Sequence, residues 1–208
     1  MPLHNLLPTR PTRTSSYTKD YLSDGSTMNN LILVRHSEPK IEPDRPASTW
    51  RLSGRGRTRA GELAEELRGF TPTSIWSSKE PKAIETAQIL TDALNVPVNV
   101  ADGLEEHHRY EVPFFPTQDE FEQAIEQFFL NPEELVLGDE TAQQALWRFA
   151  AAIDRILATD TAESLIVVTH GTVMTLYTAS VSGVEPMCYW RSLETPSFVV
   201  LTQPNHNC

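Results

Sequence analysis

The sequence predicts an α/β protein, a three-layer sandwich in which helices cover both faces of a mostly parallel central sheet. Short apolar runs alternate along the chain with segments of helical periodicity, as they do where helices connect parallel strands. Two of the runs, 31–34 and 165–168, contain only apolar residues. Such runs are typical of strands that are buried on both faces of a parallel sheet.

The first half of the domain contains three predicted strands and two predicted helices. The strand at 31–34 is an uninterrupted apolar run, and the helix at 57–69 has apolar residues three and four positions apart and ends near a glycine. A short run with isoleucine and tryptophan predicts a strand at 74–77, and a second amphipathic pattern predicts a helix over 82–94. The strand predicted at 96–100 has a proline near its start, which is typical of an edge.

The second half repeats the same alternation. The longest helical pattern covers 139–158 and precedes the apolar strand at 165–168. A helix is predicted over 172–181, and an apolar run predicts a last strand at 198–201.

We expect one domain over 30–208, because a chain of 208 residues can be organised around a single hydrophobic core. Residues 1–29 are rich in Pro, Ser and Thr, have no acidic residue before Asp20, and lack the apolar stretch of a secretory signal. They predict a disordered extension. An organellar transit segment is the alternative for this acid-poor start, and Met28 is an alternative first residue.

The segment 107–138 interrupts the strand–helix alternation. It contains three prolines, the aromatic pairs Phe114-Phe115 and Phe128-Phe129, and an amphipathic stretch over 118–130. We expect a helical and loop insertion that forms a lid over the site. The aromatic pairs are predicted to pack within the lid, with contact to an apolar substrate as the alternative.

Composition narrows the possible partners and compartment. The formal charge of −11 disfavours nucleic acid as a partner, because nucleic-acid binding requires a basic face. No apolar run approaches the ~20 residues that span a bilayer, so we expect no membrane partner. Two cysteines are too few for a disulfide framework or a structural zinc site. Cytoplasmic location is the expectation.

Two histidines occupy equivalent positions at the ends of predicted strands. His36 follows the strand at 31–34 and its neighbour Arg35, and His170 follows the strand at 165–168 and Thr169. Because ligands of open α/β sheets bind beyond the carboxyl ends of the strands, both histidines are predicted to face one crevice.

These residues belong to a series of motifs that resembles the histidine phosphatase (phosphoglycerate mutase-like) superfamily. Arg35-His36-Ser37-Glu38 resembles the family's Arg-His-Gly-Glu signature. The further stretches that resemble family motifs, in the same order, are 52–56, 77–87, 104–106, 139–148 and 167–171. The resemblance covers residues 31–172.

The resemblance implies a role for each matched residue. His36 would be the nucleophile, because a neutral imidazole can attack phosphorus without a base to activate it. Arg35, His170 and Lys82 would bind the phosphoryl oxygens. Glu106 would protonate the leaving alcohol and then deprotonate the attacking water. No metal and no cofactor is implied, and the expected partner is a small phosphorylated substrate.

Three departures from the family pattern bear on these roles. Ser37 replaces the usual glycine, and its hydroxyl would either crowd the phosphate or bind it, so Ser37 is included among the phosphate-binding candidates. Lys82 replaces the usual arginine and keeps the charge without the bidentate fork. Glu105 stands beside Glu106, and the spacing favours Glu106 as the general acid.

We predict that the protein is a metal-independent phosphomonoesterase that forms a phosphohistidine. One alternative is a phosphoglycerate mutase, but His107 follows Glu106 where mutases of the family have arginine. The other is a weakly catalytic domain that binds phosphorylated ligands, which Ser37 and Lys82 together favour. Residues 102–140 hold twelve acidic residues and only Arg109 as a base, so we expect small phosphomonoesters rather than polyanions.

Overall fold

The computed structural model describes residues 28–204 except residue 111. Most of the predicted extension, residues 1–27, therefore lies outside the described residues. Residues 28 and 29, which were assigned to that extension, are the first two residues of a strand. Among the described residues, no helix is both long and apolar enough to cross a bilayer.

The described residues form a sheet of five strands in the order β3-β2-β4-β1-β5. Pairing is parallel between neighbours from β3 to β1, and β5 is antiparallel to β1. The strands are β1 (Met28–Arg35), β2 (Ser74–Ser77), β3 (Val98–Val100), β4 (Ser164–Thr169) and β5 (Ser197–Pro204). The prediction of a mostly parallel sheet in an α/β fold is confirmed.

Six α-helices are found in the described part of the chain: α1 (Gly54–Leu67), α2 (Pro81–Leu94), α3 (Gln118–Leu130), α4 (Ala142–Thr159), α5 (Gly171–Ser182) and α6 (Pro186–Ser192). Side-chain caps set several of the starts. Ser53 accepts a hydrogen bond from the N–H of Gly56, so α1 begins three residues before the predicted helix. Thr141 and Gln144 form a capping box, so α4 begins three residues later than predicted.

Alternate residues of each central strand face opposite layers of helices. Leu31 and Leu33 of β1 belong to a core with α3, α4, α5 and α6, whereas Ile32 and Val34 pack in a second core with α1 and α2. The first core contains fully buried aliphatic and aromatic side chains, and the fully buried side chains of the second core are aliphatic. The helices therefore cover both faces of the sheet, as predicted.

The parallel register brings the carboxyl ends of three strands to one edge of the sheet. Arg35 is paired with Thr169, and Ser77 with Val168. The N–H of His36 donates to the carbonyl of Thr169 at 2.9 Å, which continues the pairing past the end of β1. Loops that leave β1, β2 and β4 consequently start side by side.

Candidate active site

A cavity of about 790 Å³ lies at this edge of the sheet. The residues that line it come from the loop after β1, the start of α2, the start of α5 and the inserted segment. Of the sequence-predicted residues, it includes Arg35, His36, Lys82 and Glu106, whereas Ser37, His170 and Glu105 are not in its wall. Four predicted side chains from three separate parts of the sequence thus share one cavity.

The imidazole of His36 is held in one tautomer. Its Nδ1 lies 2.7 Å from the carbonyl oxygen of Ser37, which can only accept a hydrogen bond. Nδ1 therefore carries the proton and Nε2 keeps its lone pair. Burial, with the nearby His170, Lys82 and Arg35, lowers the pKa of His36 well below the usual value. The ring is neutral near pH 7, the form that a nucleophile requires.

His170 is fully buried beside His36. The two ring centroids are 5.1 Å apart with the planes inclined by 62°. Nε2 of His170 is 2.8 Å from the hydroxyl of Ser78, and Nδ1 has no hydrogen-bond partner among the described residues. Burial, and after it the charge of Lys82, lowers the pKa of His170 well below its usual value. Its predicted role as a phosphate ligand stays a prediction.

Arg35 presents its guanidinium to the cavity across the start of α5. Its Nη1 donates to the carbonyl of Leu193 at 2.8 Å, which fixes one end of the fork. Its Nε is buried and has no hydrogen-bond partner among the described residues. A Cβ on Gly171 would lie 3.1 Å from that Nε, so the close approach of helix and guanidinium depends on a glycine there.

Lys82 is buried and already engaged. Its Nζ lies 2.5 Å from Oε2 of Glu80 and 2.7 Å from the carbonyl oxygen of Ala47. Oε1 of Glu80 accepts from the N–H of Glu106 at 3.0 Å and lies 3.6 Å from Nε2 of His170. The structure therefore places an acidic side chain between the predicted phosphate ligands. Sequence reasoning missed Glu80, although its position two residues before Lys82 was a usable signal.

The two adjacent glutamates have different environments. Glu106 lines the cavity, and its carboxylate accepts from the N–H groups of Thr172 and Val173 in the first turn of α5, at 3.1 and 3.2 Å. Glu105 points away from the cavity, where it accepts from the N–H of Gly103 at 2.7 Å and forms ion pairs with Lys79 and Arg148. This placement favours Glu106 for a role at the cavity.

Opposing effects act on the pKa of Glu106. Burial raises it, but the neighbouring rings of His170 and His107, the guanidinium of Arg109 and the N–H of Thr172 outweigh burial and hold it below the usual range. The carboxylate is therefore ionised when no substrate is bound.

Ser37 does not face the cavity. Its side chain is fully buried, its hydroxyl donates to the carbonyl of Gly56 at 2.7 Å, and its N–H donates to the hydroxyl of Thr86 at 3.0 Å. The predicted contact of this hydroxyl with phosphate is not supported by this placement, because the hydroxyl proton is used inside the fold. We leave Ser37 out of the proposed phosphate site.

Arg109 is a cavity residue that sequence reasoning did not assign. Its guanidinium carbon lies 4.9 Å from the ring centroid of Phe121, and burial lowers its pKa while the nearby Glu106 and Glu80 raise it. It adds a third cation to those of Arg35 and Lys82. The one usable signal was its position as the single base in an acidic segment.

The histidines and carboxylates at the cavity are not arranged as a metal centre. Among residues 28–204, leaving out residue 111, no group of three or more His, Cys, Asp or Glu side chains has metal-binding geometry.

A family model described as histidine phosphatase superfamily (branch 1) matches residues 31–207. The chain belongs to the histidine phosphatase superfamily. Its predicted resemblance to this superfamily is confirmed, over a longer segment than the motifs alone covered. The comparison with curated proteins gave no significant match.

Solved structures with the same fold include several phosphatases. The chain is 18% identical to mycobacterial hydrolase 2, with a TM-score of 0.71 over 87% of this chain and 84% of the other. A mycobacterial glucosyl-3-phosphoglycerate phosphatase is 20% identical, with a TM-score of 0.67 over 84% and 90%. A phosphoserine phosphatase mutant from Entamoeba histolytica is 22% identical, with a TM-score of 0.60 over 83% and 89%. At these identities the likeness shows the histidine phosphatase fold.

Proposed function

We propose that this histidine phosphatase superfamily member is a phosphomonoesterase that acts through a phosphohistidine at His36 on a small phosphorylated metabolite. One observation carries the proposal. The neutral ring of His36 has a free Nε2 in a cavity that also contains the guanidinium of Arg35 and the carboxylate of Glu106. A nucleophile, a phosphoryl ligand and a proton carrier are thus within one cavity.

In the first step, Nε2 of His36 attacks phosphorus, the P–Nε2 bond forms and the P–O bond to the alcohol breaks. Arg35 and Lys82 would bind the non-bridging oxygens, and His170 stays a predicted ligand beside them. Glu106 gives its proton to the departing oxygen. In the second step, water attacks phosphorus, the P–Nε2 bond breaks and Glu106 receives the proton of the water.

The low pKa of Glu106 in the empty cavity is compatible with this cycle. A phosphoryl dianion bound beside the carboxylate repels its charged form and raises its pKa. When the substrate binds, Glu106 would therefore take up a proton from solvent, and this is the proton that it gives to the leaving alcohol. No step uses a metal or a cofactor, so we expect turnover in the presence of EDTA.

The test is to trap the covalent intermediate and compare two matched variants. Purified protein with EDTA should hydrolyse an aryl phosphate and carry acid-labile phosphate on His36, whereas His36→Ala should carry none. Glu106→Gln should slow turnover by about 10²–10⁴, because the leaving alcohol then departs without a proton. Glu105→Gln, whose carboxylate lies outside the cavity, should change kcat less than about tenfold. Turnover retained by His36→Ala would overturn the proposal.

One contact favours the alternative of a weakly catalytic domain that binds phosphorylated ligands. The carboxylate of Glu80 already neutralises Lys82, and it would repel a phosphoryl group beside it. This alternative predicts binding of phosphate esters without measurable turnover. It also predicts that Glu80→Gln raises the affinity for phosphate esters at least about tenfold, because Lys82 is then freed from its ion pair. Phosphorylation of His36 with efficient turnover in the unaltered protein would contradict it.

A further inference from the structure

The cavity extends well beyond the residues that would hold a phosphoryl group. Its outer part is formed by the loop between β1 and α1 and by the inserted segment. The larger apolar side chains in this outer wall include Ile41, Trp50, Val112, Phe114, Phe115 and Phe121. This outer part is continuous with the part that contains His36, so it can receive the organic group of an ester bound there.

Trp50 is held as a rigid surface in that wall. Its indole N–H donates to the carbonyls of Glu42 at 3.0 Å and Arg45 at 3.1 Å, so the ring orientation is fixed by its own loop. That loop is closed by a bridge between Pro39 and Leu52, and the N–H of Lys40 donates to the carbonyl of Arg51 at 2.8 Å.

The same loop is tied to the proposed phosphate site. Nζ of Lys82 donates to the carbonyl of Ala47, so the ring of Trp50 keeps a set position relative to the floor of the cavity. A preorganised wall of this kind lowers the entropy cost of binding, since neither the loop nor the ring has to be ordered by the ligand.

Phe114 faces Trp50 from the inserted segment. The two ring centroids are 6.2 Å apart and the planes are inclined by 51°, which forms a corner between two aromatic faces. Phe114 is 51% exposed, so much of its apolar surface is in contact with solvent in the empty cavity. A third ring can contact both faces with tilted or edge-to-face geometry, which adds to the free energy of burying apolar surface.

We infer that the preferred substrates are phosphomonoesters whose organic group carries an aromatic ring, and that Trp50 and Phe114 are the residues that bind the ring. This inference rests on the proposed function and adds the substrate class. The occupant of the outer wall is the substrate's own ring, because the wall is continuous with the cavity that contains His36. The prediction from the sequence, that Phe114 packs within the lid, does not account for its exposure, whereas the alternative of contact with an apolar substrate does.

The test compares esters that differ in the ring and share the same class of leaving group. 2-Phenylethyl phosphate, 2-cyclohexylethyl phosphate and ethyl phosphate all release a primary alcohol. We expect kcat/KM for the phenyl ester to exceed that for ethyl phosphate by about 10–100-fold and that for the cyclohexyl ester by about threefold or more. Equal values for all three would overturn the inference and leave the proposed function intact. Equal kcat/KM values for the phenyl and cyclohexyl esters would overturn the inference that the substrate's ring is aromatic.

Two substitutions test whether Trp50 and Phe114 cause the preference for the phenyl ester. Phe114→Ala and Trp50→Ala should each lower about tenfold the ratio of kcat/KM for the phenyl ester to kcat/KM for ethyl phosphate. Trp147→Ala is the matched control, because Trp147 is 62% exposed and lies outside the cavity wall. An equal loss for both esters in Phe114→Ala, whose side chain is too exposed to be needed for folding, would overturn the assignment.

A binding measurement separates failure of this inference from failure of the proposed function. In the His36→Ala variant, calorimetry should show about tenfold tighter binding of 2-phenylethyl phosphate than of ethyl phosphate. Equal affinities would overturn the inference whether or not the unaltered protein turns over. Absence of hydrolysis and of His36 phosphorylation, together with selective binding, would overturn the proposed function alone.

Discussion

The side chain of Ser37 is hydrogen-bonded to α1 and does not reach the cavity, although Ser37 belongs to the same motif as Arg35 and His36. Its hydroxyl donates to the carbonyl of Gly56, and a Cβ on Gly56 would approach the carbonyl oxygen of Glu38 to 2.0 Å. The loop after β1 and the first turn of α1 are therefore in direct backbone contact. Ser37 joins these two segments by a buried hydrogen bond.

Ser37→Ala should therefore reduce stability more than activity. Removing the hydroxyl loses one buried hydrogen bond, so the free energy of unfolding should fall by about 1 kcal/mol. The value of kcat/KM should stay within about threefold, because the phosphoryl group is held by other side chains. Urea unfolding and steady-state kinetics check the two parts. A tenfold loss of kcat/KM at unchanged stability would show that the hydroxyl does reach the phosphate.

Helix α5 combines two roles at its first turn. Its N–H groups at Thr172 and Val173 bind the carboxylate of Glu106, and Gly171 lets the guanidinium of Arg35 lie against the helix. The positive end of the helix also favours an anion at this place. The start of α5 thus positions a carboxylate and a guanidinium that come from distant parts of the sequence.

Gly171→Ala should impair catalysis through Arg35. The added Cβ would displace the guanidinium by a few tenths of an ångström, so kcat/KM should fall about tenfold or more with little change in fold. Gly61→Ala in α1 is the matched control, because a Cβ there meets nothing within 4 Å. It should keep full activity and gain up to about 1 kcal/mol of stability. Equal kinetics of the two variants would contradict the positioning of Arg35 by Gly171.

Three buried histidines make the stability of the whole domain depend on pH. Burial lowers the pKa of His107 to about 4, and it also lowers those of His36 and His170. Below pH 6.5 the unfolded chain takes up protons at these rings and the folded chain does not. The free energy of unfolding therefore falls as the pH decreases from 6.5, by up to about 1.4 kcal/mol per pH unit for each ring.

The substitution His107→Leu should make the free energy of unfolding less dependent on pH. Neither ring nitrogen of His107 has a hydrogen-bond partner among the described residues, and the ring packs on Phe128 with centroids 4.6 Å apart. Leucine removes the proton uptake without leaving a polar group unpaired. Urea unfolding at pH 7.0, 6.0 and 5.0 should show a slope smaller by about one proton in the variant. An unchanged slope would mean that His107 titrates alike in both states.

The alternation of strands and helices was predictable because the periodicity of apolar residues is a local property. The predicted strand at 165–168 matches β4 to within one residue at both ends, and the predicted helix at 82–94 matches α2 equally well. Helix α6 was missed, because seven residues are too few to show a period. The start of α4 was placed too early, because the capping box at Thr141 and Gln144 was not used.

His36 and His170 were candidates from the sequence because parallel strands bring their carboxyl ends to one edge. Glu106 was a candidate through its resemblance to a family motif. The positions of Glu80 and Arg109 in the cavity, and of Ser37 outside it, were established by the packing of the chain. Each depends on how the first turns of α1 and α2 and the inserted segment approach the sheet from distant parts of the sequence. Such approaches are set by the packing of whole helices and loops, which local residue patterns do not determine.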